Sequence, residues 1–115
     1  MTINDLLHWI GALSLLLYGI ASATKPQWIA GILENDLDSA RGISEFRVAH
    51  GGGMIALSLF ALYSNDPMVF QLLGWGWMTA AIVRIVSYLP DRPKVTTDYL
   101  IFLAAEILLG IFLLI

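Results

Sequence analysis

Residues 99–115 read YLIFLAAEILLGIFLLI, a run of apolar side chains interrupted by one acidic residue, Glu106. A helix that crosses the hydrocarbon core of a bilayer, roughly 30 Å thick, needs about 20 mainly apolar residues. This stretch approaches that length with a single charge in it. It therefore predicts a membrane-spanning helix and places the chain in the membrane class.

Three more apolar stretches precede it, bounded by charged or turn-forming residues, at about 6–23, 43–63 and 68–89. The composition agrees, because 58% of the 115 residues are hydrophobic and only 13% are charged, which is unusual for a soluble domain. The sequence contains no internal repeat and no interdomain linker. We expect an all-α fold in which residues 1–115 form one four-helix transmembrane bundle.

The connections between these stretches differ in length. Residues 64–67 are Ser-Asn-Asp-Pro, and Asn, Asp and Pro favour a tight turn, so the second and third helices are expected to be antiparallel neighbours. Residues 24–42 are the only sizeable polar segment. They fit either a short amphipathic piece at the membrane surface or a solvated loop with a few apolar residues.

Local signals mark the start of the second helix. Asp38 or Ser39 is suited to the N-cap position, because its side-chain oxygen can accept a hydrogen bond from the first turn. Arg41 and Glu45 are four residues apart, the spacing of an ion pair on a helix surface.

Basic residues flank only some of the spans. They are Lys25, Arg41, Arg92 and Lys94. By the positive-inside rule, loops 24–42 and 90–98 are cytoplasmic and both termini face outward, which predicts an up-down, multi-pass protein of the cell (inner) membrane. Asn4 and Asp5 stand where a signal peptide carries Lys or Arg, so the first helix is expected to be retained as a span.

Several functional classes lack support in the sequence. The chain has no cysteine, which excludes disulfides and thiolate metal sites. Its net charge is −3 and its six Lys and Arg residues form no run, so nucleic-acid binding is not expected. No metal or other cofactor is predicted, since the two histidines fall in separate leaflets.

Ionisable residues inside the predicted spans are the best pointer to function, because a charge deep in a membrane helix costs about 2.5 to 3.5 kcal/mol. The candidates are His8, Glu45, Arg47, His50, Arg84 and Glu106. At about 1.5 Å of rise per residue, the last four lie at nearly one level of the inner leaflet, on three different helices. His8 lies at the outer end and is expected to be interfacial.

Two interpretations of this level stay open. Arg84 and Glu106 can form a structural ion pair between neighbouring helices while Arg47 extends to the cytoplasmic surface. Alternatively, the two arginines leave one uncompensated positive charge, unless Glu45 also reaches inward, and guanidinium groups suit phosphate or carboxylate ligands. The predicted ligand-binding residues are Arg47, His50, Arg84, Glu106, Glu45, Tyr88 and Trp77.

Helical periodicity divides the spans into faces. In the second helix, an interior face is predicted for Arg47, His50, Gly51, Met54 and Ser58. A separate face of mostly small residues, suited to close helix packing, comprises Glu45, Ala49, Gly52, Gly53 and Ala56. The first helix has a packing face of His8, Gly11, Ala12, Leu15, Gly19 and Ser22, and the third a stripe of Gly74, Trp77, Ala81, Arg84 and Tyr88.

The stretch Arg41-Gly-Ile-Ser-Glu-Phe-Arg-Val-Ala-His-Gly-Gly-Gly, followed by Arg84 and Glu106, resembles the four-helix bacterial membrane proteins grouped as domain-of-unknown-function family 4345. That family opens its second helix with Gly-x-x-Glu-hydrophobic-Arg-x-x-Tyr-Gly-Gly, and this chain has His50 where Tyr is usual. A weaker similarity extends to DoxX-like membrane proteins. The resemblance implies the four-helix fold and these residues, without an established activity.

Three functions are compatible with the sequence. The first is binding of a lipid headgroup or small amphiphile at the inner-leaflet level. The second is a small proton-coupled transporter, acting as a homodimer, with Glu106 as the coupled carboxylate. The third is an accessory subunit that binds another membrane protein through small-residue faces. Expected partners are therefore membrane lipids and either a second copy or another membrane protein, and an enzyme is the least favoured class.

Overall fold

The computed structural model of the protein describes residues 1–115 and contains helices but no strands. Its five helices are α1 (Ile3–Thr24), α2 (Pro26–Ile32), α3 (Ala40–Ser64), α4 (Pro67–Asp91) and α5 (Thr97–Leu114). All except α2 are long and apolar enough to cross a membrane. The all-α class and the four candidate spans are confirmed, whereas the bundle topology, the sidedness of the loops and the positions of the termini stay predictions.

The chain divides into two compact units, which we describe separately. The continuous unit is Ala12–Ser64, and the split unit combines Met1–Gly11 with Asn65–Ile115. The first part of α1 thus belongs to the split unit and its remainder to the continuous unit.

Capping side chains set where the helices begin. Ser39 caps α3, with its Oγ accepting a hydrogen bond from the Gly42 N–H at 2.9 Å. Asp66 caps α4 by accepting from the Met68 N–H at 2.9 Å, and Asn65 takes a left-handed backbone conformation with φ of 48°. The predicted 64–67 turn and the Ser39 alternative for the N-cap are therefore confirmed.

In the continuous unit, residues 24–42 contain the short helix α2. Its residues Ile29 and Ala30 are buried against Phe46 of α3. Glu34 then adopts a left-handed conformation, φ 55°, as the chain leaves the helix. Apolar packing therefore holds this segment in place. It contains a packed helix, whereas the solvated-loop interpretation expected none.

Five of the six residues on the predicted packing face of α1 are buried, namely Gly11, Ala12, Leu15, Gly19 and Ser22, and His8 is half-buried. The small-residue face predicted for α3 does not pack against another helix of this chain. Its members are all exposed, namely Glu45, Ala49, Gly52, Gly53 and Ala56. The close approach occurs at Gly51 instead. A Cβ placed there would lie 2.8 Å from Ala23 Cβ, whereas one on Gly52 would meet nothing within 4 Å.

The split unit brings α4 and α5 together through small residues. A Cβ on Gly110 would lie 2.6 Å from Met78 Sδ, so a larger residue there would require the Met78 side chain to move. The first turns of α1 also join this unit. His8 stacks on Phe70 with ring centroids 4.9 Å apart, and Trp9 Nε1 donates a hydrogen bond to Asn65 Oδ1 at 3.1 Å.

Candidate functional site

A π-helical segment, Arg47–Gly53, interrupts α3 and carries two of the predicted site residues. In a π-helix each N–H bonds to the carbonyl five residues earlier, a rare geometry that is frequent at functional sites. The segment ends in the Gly51-Gly52-Gly53 run, whose missing side chains leave the backbone unusually free. Arg47 and His50 therefore stand on a locally widened helix.

His50 is held from two sides within the continuous unit. Its Nδ1 lies 2.8 Å from the Tyr18 hydroxyl, and the imidazole tautomer decides which group donates the hydrogen bond. Its ring stacks on Phe46, with centroids 4.2 Å apart and an interplanar angle of 7°. Because both contacts fix the ring plane, the half-buried imidazole has a defined orientation.

Arg47 interacts with the end of α1. Its Nη1 donates a hydrogen bond to the carbonyl oxygen of Ala23, in the last turn of that helix, where carbonyls lack intrahelical partners. The chain's two ion pairs involve other residues. Arg47 is exposed, and its positive charge has no carboxylate partner.

Close packing of α1 and α3 places Arg47 beside that carbonyl. A Cβ on Gly19 would lie 3.0 Å from the backbone nitrogen of Ile55, and one on Gly51 would lie 2.9 Å from Ala23 Cα. The two backbones therefore touch at both glycines. This contact places the π-helical segment next to the last turn of α1.

The split unit holds the other two central residues as an ion pair. Arg84 Nε donates to Glu106 Oε1 at 2.6 Å, and Arg84 Nη2 donates to Glu106 Oε2 at 3.3 Å. The side chains are 27% and 5% exposed, respectively. Two parallel N–H···O bonds are the strong form of an arginine–carboxylate interaction, so each charge here is matched by the other.

Aromatic residues border this pair in an unexpected arrangement. The Tyr99 ring lies beneath the guanidinium of Arg84, 5.5 Å from its Cζ, and the Tyr99 hydroxyl donates to the Arg84 carbonyl at 3.3 Å. Tyr88, on the predicted stripe with Arg84, has its ring under the guanidinium of Arg92, 5.3 Å from Cζ. Trp77 is half-buried on the same helix.

The predicted site residues thus fall into two groups. Arg47 and His50 belong to the continuous unit, and Arg84 and Glu106 belong to the split unit, so the common four-residue level stays a prediction. Glu45 does not reach inward, because its exposed carboxylate lies 3.8 Å from Arg41 Nε, as its spacing predicted. It therefore leaves the charge of Arg47 unmatched.

Sequence reasoning missed Tyr18 and Tyr99. Tyr18 borders the packing face of α1, three residues after Leu15 and four before Ser22, so a polar aromatic at the edge of a buried face was the available signal. Tyr99 lies two helical turns before Glu106 on α5, which places both on one side of the helix. No three His, Cys, Asp or Glu side chains come together as a metal site.

Family models, characterised proteins and solved structures were compared with this chain. None of them matches it. The resemblance to domain-of-unknown-function family 4345 therefore stays a prediction that rests on the helix-two pattern followed by Arg84 and Glu106.

Proposed function

We propose that this chain is an integral membrane protein that binds the anionic headgroup of a lipid, or a small amphiphile with a phosphate or carboxylate, through Arg47 and His50 in the inner leaflet. The observation that carries the proposal is the state of Arg47, an exposed guanidinium without a carboxylate partner inside a candidate membrane span. Such a charge is costly in the membrane. An anionic ligand would offset that cost.

The geometry of Arg47 favours an anion. A guanidinium has five N–H donors in a fixed plane, and the bond to the Ala23 carbonyl occupies one amino group. That bond restrains the side chain, so less conformational freedom is lost when the remaining donors bind a phosphate or carboxylate. His50, three residues later and oriented by Tyr18, supplies a second polar group on the same helix.

The ion pair of the split unit supports the same assignment by elimination. Arg84 is matched by Glu106 through two hydrogen bonds. Of the four central residues in the predicted cluster, Arg47 therefore carries the unmatched positive charge. We assign Arg84 and Glu106 to holding α4 against α5 and Arg47 to the ligand.

Native mass spectrometry with defined lipids tests this function. The purified protein would be titrated with phosphatidylglycerol, phosphatidylcholine and oleate, comparing the original chain with Arg47→Ala and Arg41→Ala. Arg41 is the matched control, because it is an exposed arginine six residues earlier that already pairs with Glu45. We expect Arg47→Ala to reduce binding at least tenfold and Arg41→Ala to change it less than twofold.

The three probes distinguish which kind of anionic molecule binds. Preference for phosphatidylglycerol over phosphatidylcholine at equal chain length identifies a lipid with net negative charge, and preference for oleate identifies a carboxylate amphiphile. Equal binding of every probe to Arg47→Ala and to the original chain would overturn the proposal.

A second candidate is association with another membrane helix, either in a second copy or in a partner protein. It is favoured by the exposure of the small-residue face of α3, which includes Ala49, Gly52, Gly53 and Ala56. Small residues allow helix backbones to approach closely in lipid. Leucine at Gly52 would block such an approach, so loss of a crosslinked dimer or of a copurifying protein in Gly52→Leu would support this candidate.

A further inference from the structure

Helix α2 begins almost where α1 ends. Only Lys25 separates Thr24 from Pro26, and consecutive Cα atoms are about 3.8 Å apart. Because α1 is a candidate membrane span, the start of α2 lies within about 8 Å of the point where that span ends. The position of α2 along the membrane normal is therefore set by its connection to α1.

The two faces of α2 differ in their surroundings. Pro26, Ile29 and Ala30 are buried, and the last two pack against Phe46. Trp28 is 61% exposed. Since the buried face fixes the helix on the continuous unit, the indole of Trp28 is presented away from that packing.

We infer that α2 is an interfacial anchor whose occupant is the bilayer itself, with the Trp28 indole at the boundary between headgroups and acyl chains. Tryptophan is enriched at this boundary, because its ring is apolar and its N–H is polar. Lys25 is exposed and is in neither of the chain's ion pairs, so its ammonium group complements lipid phosphates at the same level. This surface contact is separate from the single bound ligand proposed at Arg47.

Trp75 provides a matched control for measuring depth. It is 60% exposed, nearly the same as Trp28, but it lies eight residues into the candidate span α4. At about 1.5 Å of rise per residue, that position is roughly 12 Å along the helix. The two tryptophans thus differ in expected depth and not in exposure.

The experiment uses two single-tryptophan versions of the full chain in phosphatidylcholine vesicles. Trp28 alone remains in Trp9→Phe/Trp75→Phe/Trp77→Phe, and Trp75 alone remains in Trp9→Phe/Trp28→Phe/Trp77→Phe. Quenching is compared between lipids brominated near the headgroup end and near the methyl end of the acyl chain. We expect at least twofold stronger quenching of Trp28 by the shallow bromines and the reverse preference for Trp75.

A subtractive measurement covers the case in which the triple variants do not fold. Trp28→Phe in the otherwise unchanged chain should remove part of the shallow-quenched emission and leave the deep-quenched part within a tenth of its original value. Emission from Trp28 that neither bromine position quenches would place it in water and overturn the inference. Quenching that is strongest near the methyl end would overturn it as well.

Discussion

Arg84 and Glu106 are joined by two hydrogen bonds, of 2.6 and 3.3 Å, between α4 and α5. Glu106 is 5% exposed, so water has little access to its carboxylate. The pair is therefore expected to stabilise the split unit only while both members are present.

Substitution Glu106→Gln should lower the free energy of unfolding by about 3 kcal/mol, because it leaves the Arg84 charge without its partner in a mostly buried place. Reversible unfolding in mixed micelles, followed by helical circular dichroism, measures the change. Glu45→Gln is the control, since it removes the carboxylate of the exposed Arg41–Glu45 pair and should change stability by no more than about 1 kcal/mol.

Replacing both members should recover most of that loss. In Arg84→Met/Glu106→Leu no charge remains to be compensated, and apolar side chains of similar volume often stabilise as well as a buried ion pair does. A double variant that is as unstable as Glu106→Gln would show that the pair has a further role in holding the helices.

Removal of the Ser22 hydroxyl should not destabilise the protein, in contrast to the substitution of Glu106. This side chain is fully buried and its Oγ has no hydrogen-bond partner, so Ser22→Ala removes an unpaired polar group and should leave the protein equally or more stable. Ser58→Ala is the matched control, because Ser58 Oγ donates to the carbonyls of Met54 and Ile55 at 2.8 and 3.0 Å. It should cost about 1 kcal/mol.

Thermal unfolding of the two serine variants in one detergent measures both changes. A larger loss for Ser22→Ala than for Ser58→Ala would mean that a water or ligand satisfies Ser22 in the membrane.

Adjacent glycines of the π-helical segment should respond differently to the same methyl group. Gly51→Ala places Cβ within 3 Å of Ala23, so it forces α1 and α3 apart and should cost about 1 to 3 kcal/mol. Gly52→Ala has nothing within 4 Å and should stabilise the helix by up to about 1 kcal/mol. Equal stability of both variants, measured by unfolding in mixed micelles, would contradict the close contact at Gly51.

Loss of the Tyr18 hydroxyl should lower the stability of the protein and change the environment of the His50 ring. Tyr18→Phe removes the 2.8 Å hydrogen bond to Nδ1 and should cost about 1 kcal/mol. It should also change the ¹⁵N chemical shifts of the His50 ring in a labelled sample. Tyr63→Phe, at an exposed tyrosine, is the control and should leave the His50 resonances unchanged.

Signals that act over a few residues made the fold predictable. Four apolar runs gave four spans whose observed bounds differ by at most three residues from the expected ones. Ser39, Asp66 and Pro67 occupy the expected cap and turn positions, because capping depends on neighbours along the chain.

Contacts between distant residues were harder to predict. The ion pair of Arg84 and Glu106 was one of two open interpretations, since depth along two helices brings their charges to one level. The π-helical segment was not predicted, because helical spacing assumes 3.6 residues per turn throughout. Its Gly51 is fitted to Ala23, a residue of another helix. Helical periodicity placed Gly51 and Gly52 on different faces, but it assigned close packing to the face of Gly52.

The division of the chain into units has a consequence for biogenesis. The continuous unit, Ala12–Ser64, consists of consecutive residues, whereas the split unit requires both Met1–Gly11 and the segment that ends at Ile115. Chains emerge from the ribosome from the N-terminus onward. The bond between Arg47 and Ala23 can therefore form before α4 and α5 are synthesised, while the first turns of α1 wait for Asn65 and Phe70, which follow the continuous unit in the sequence.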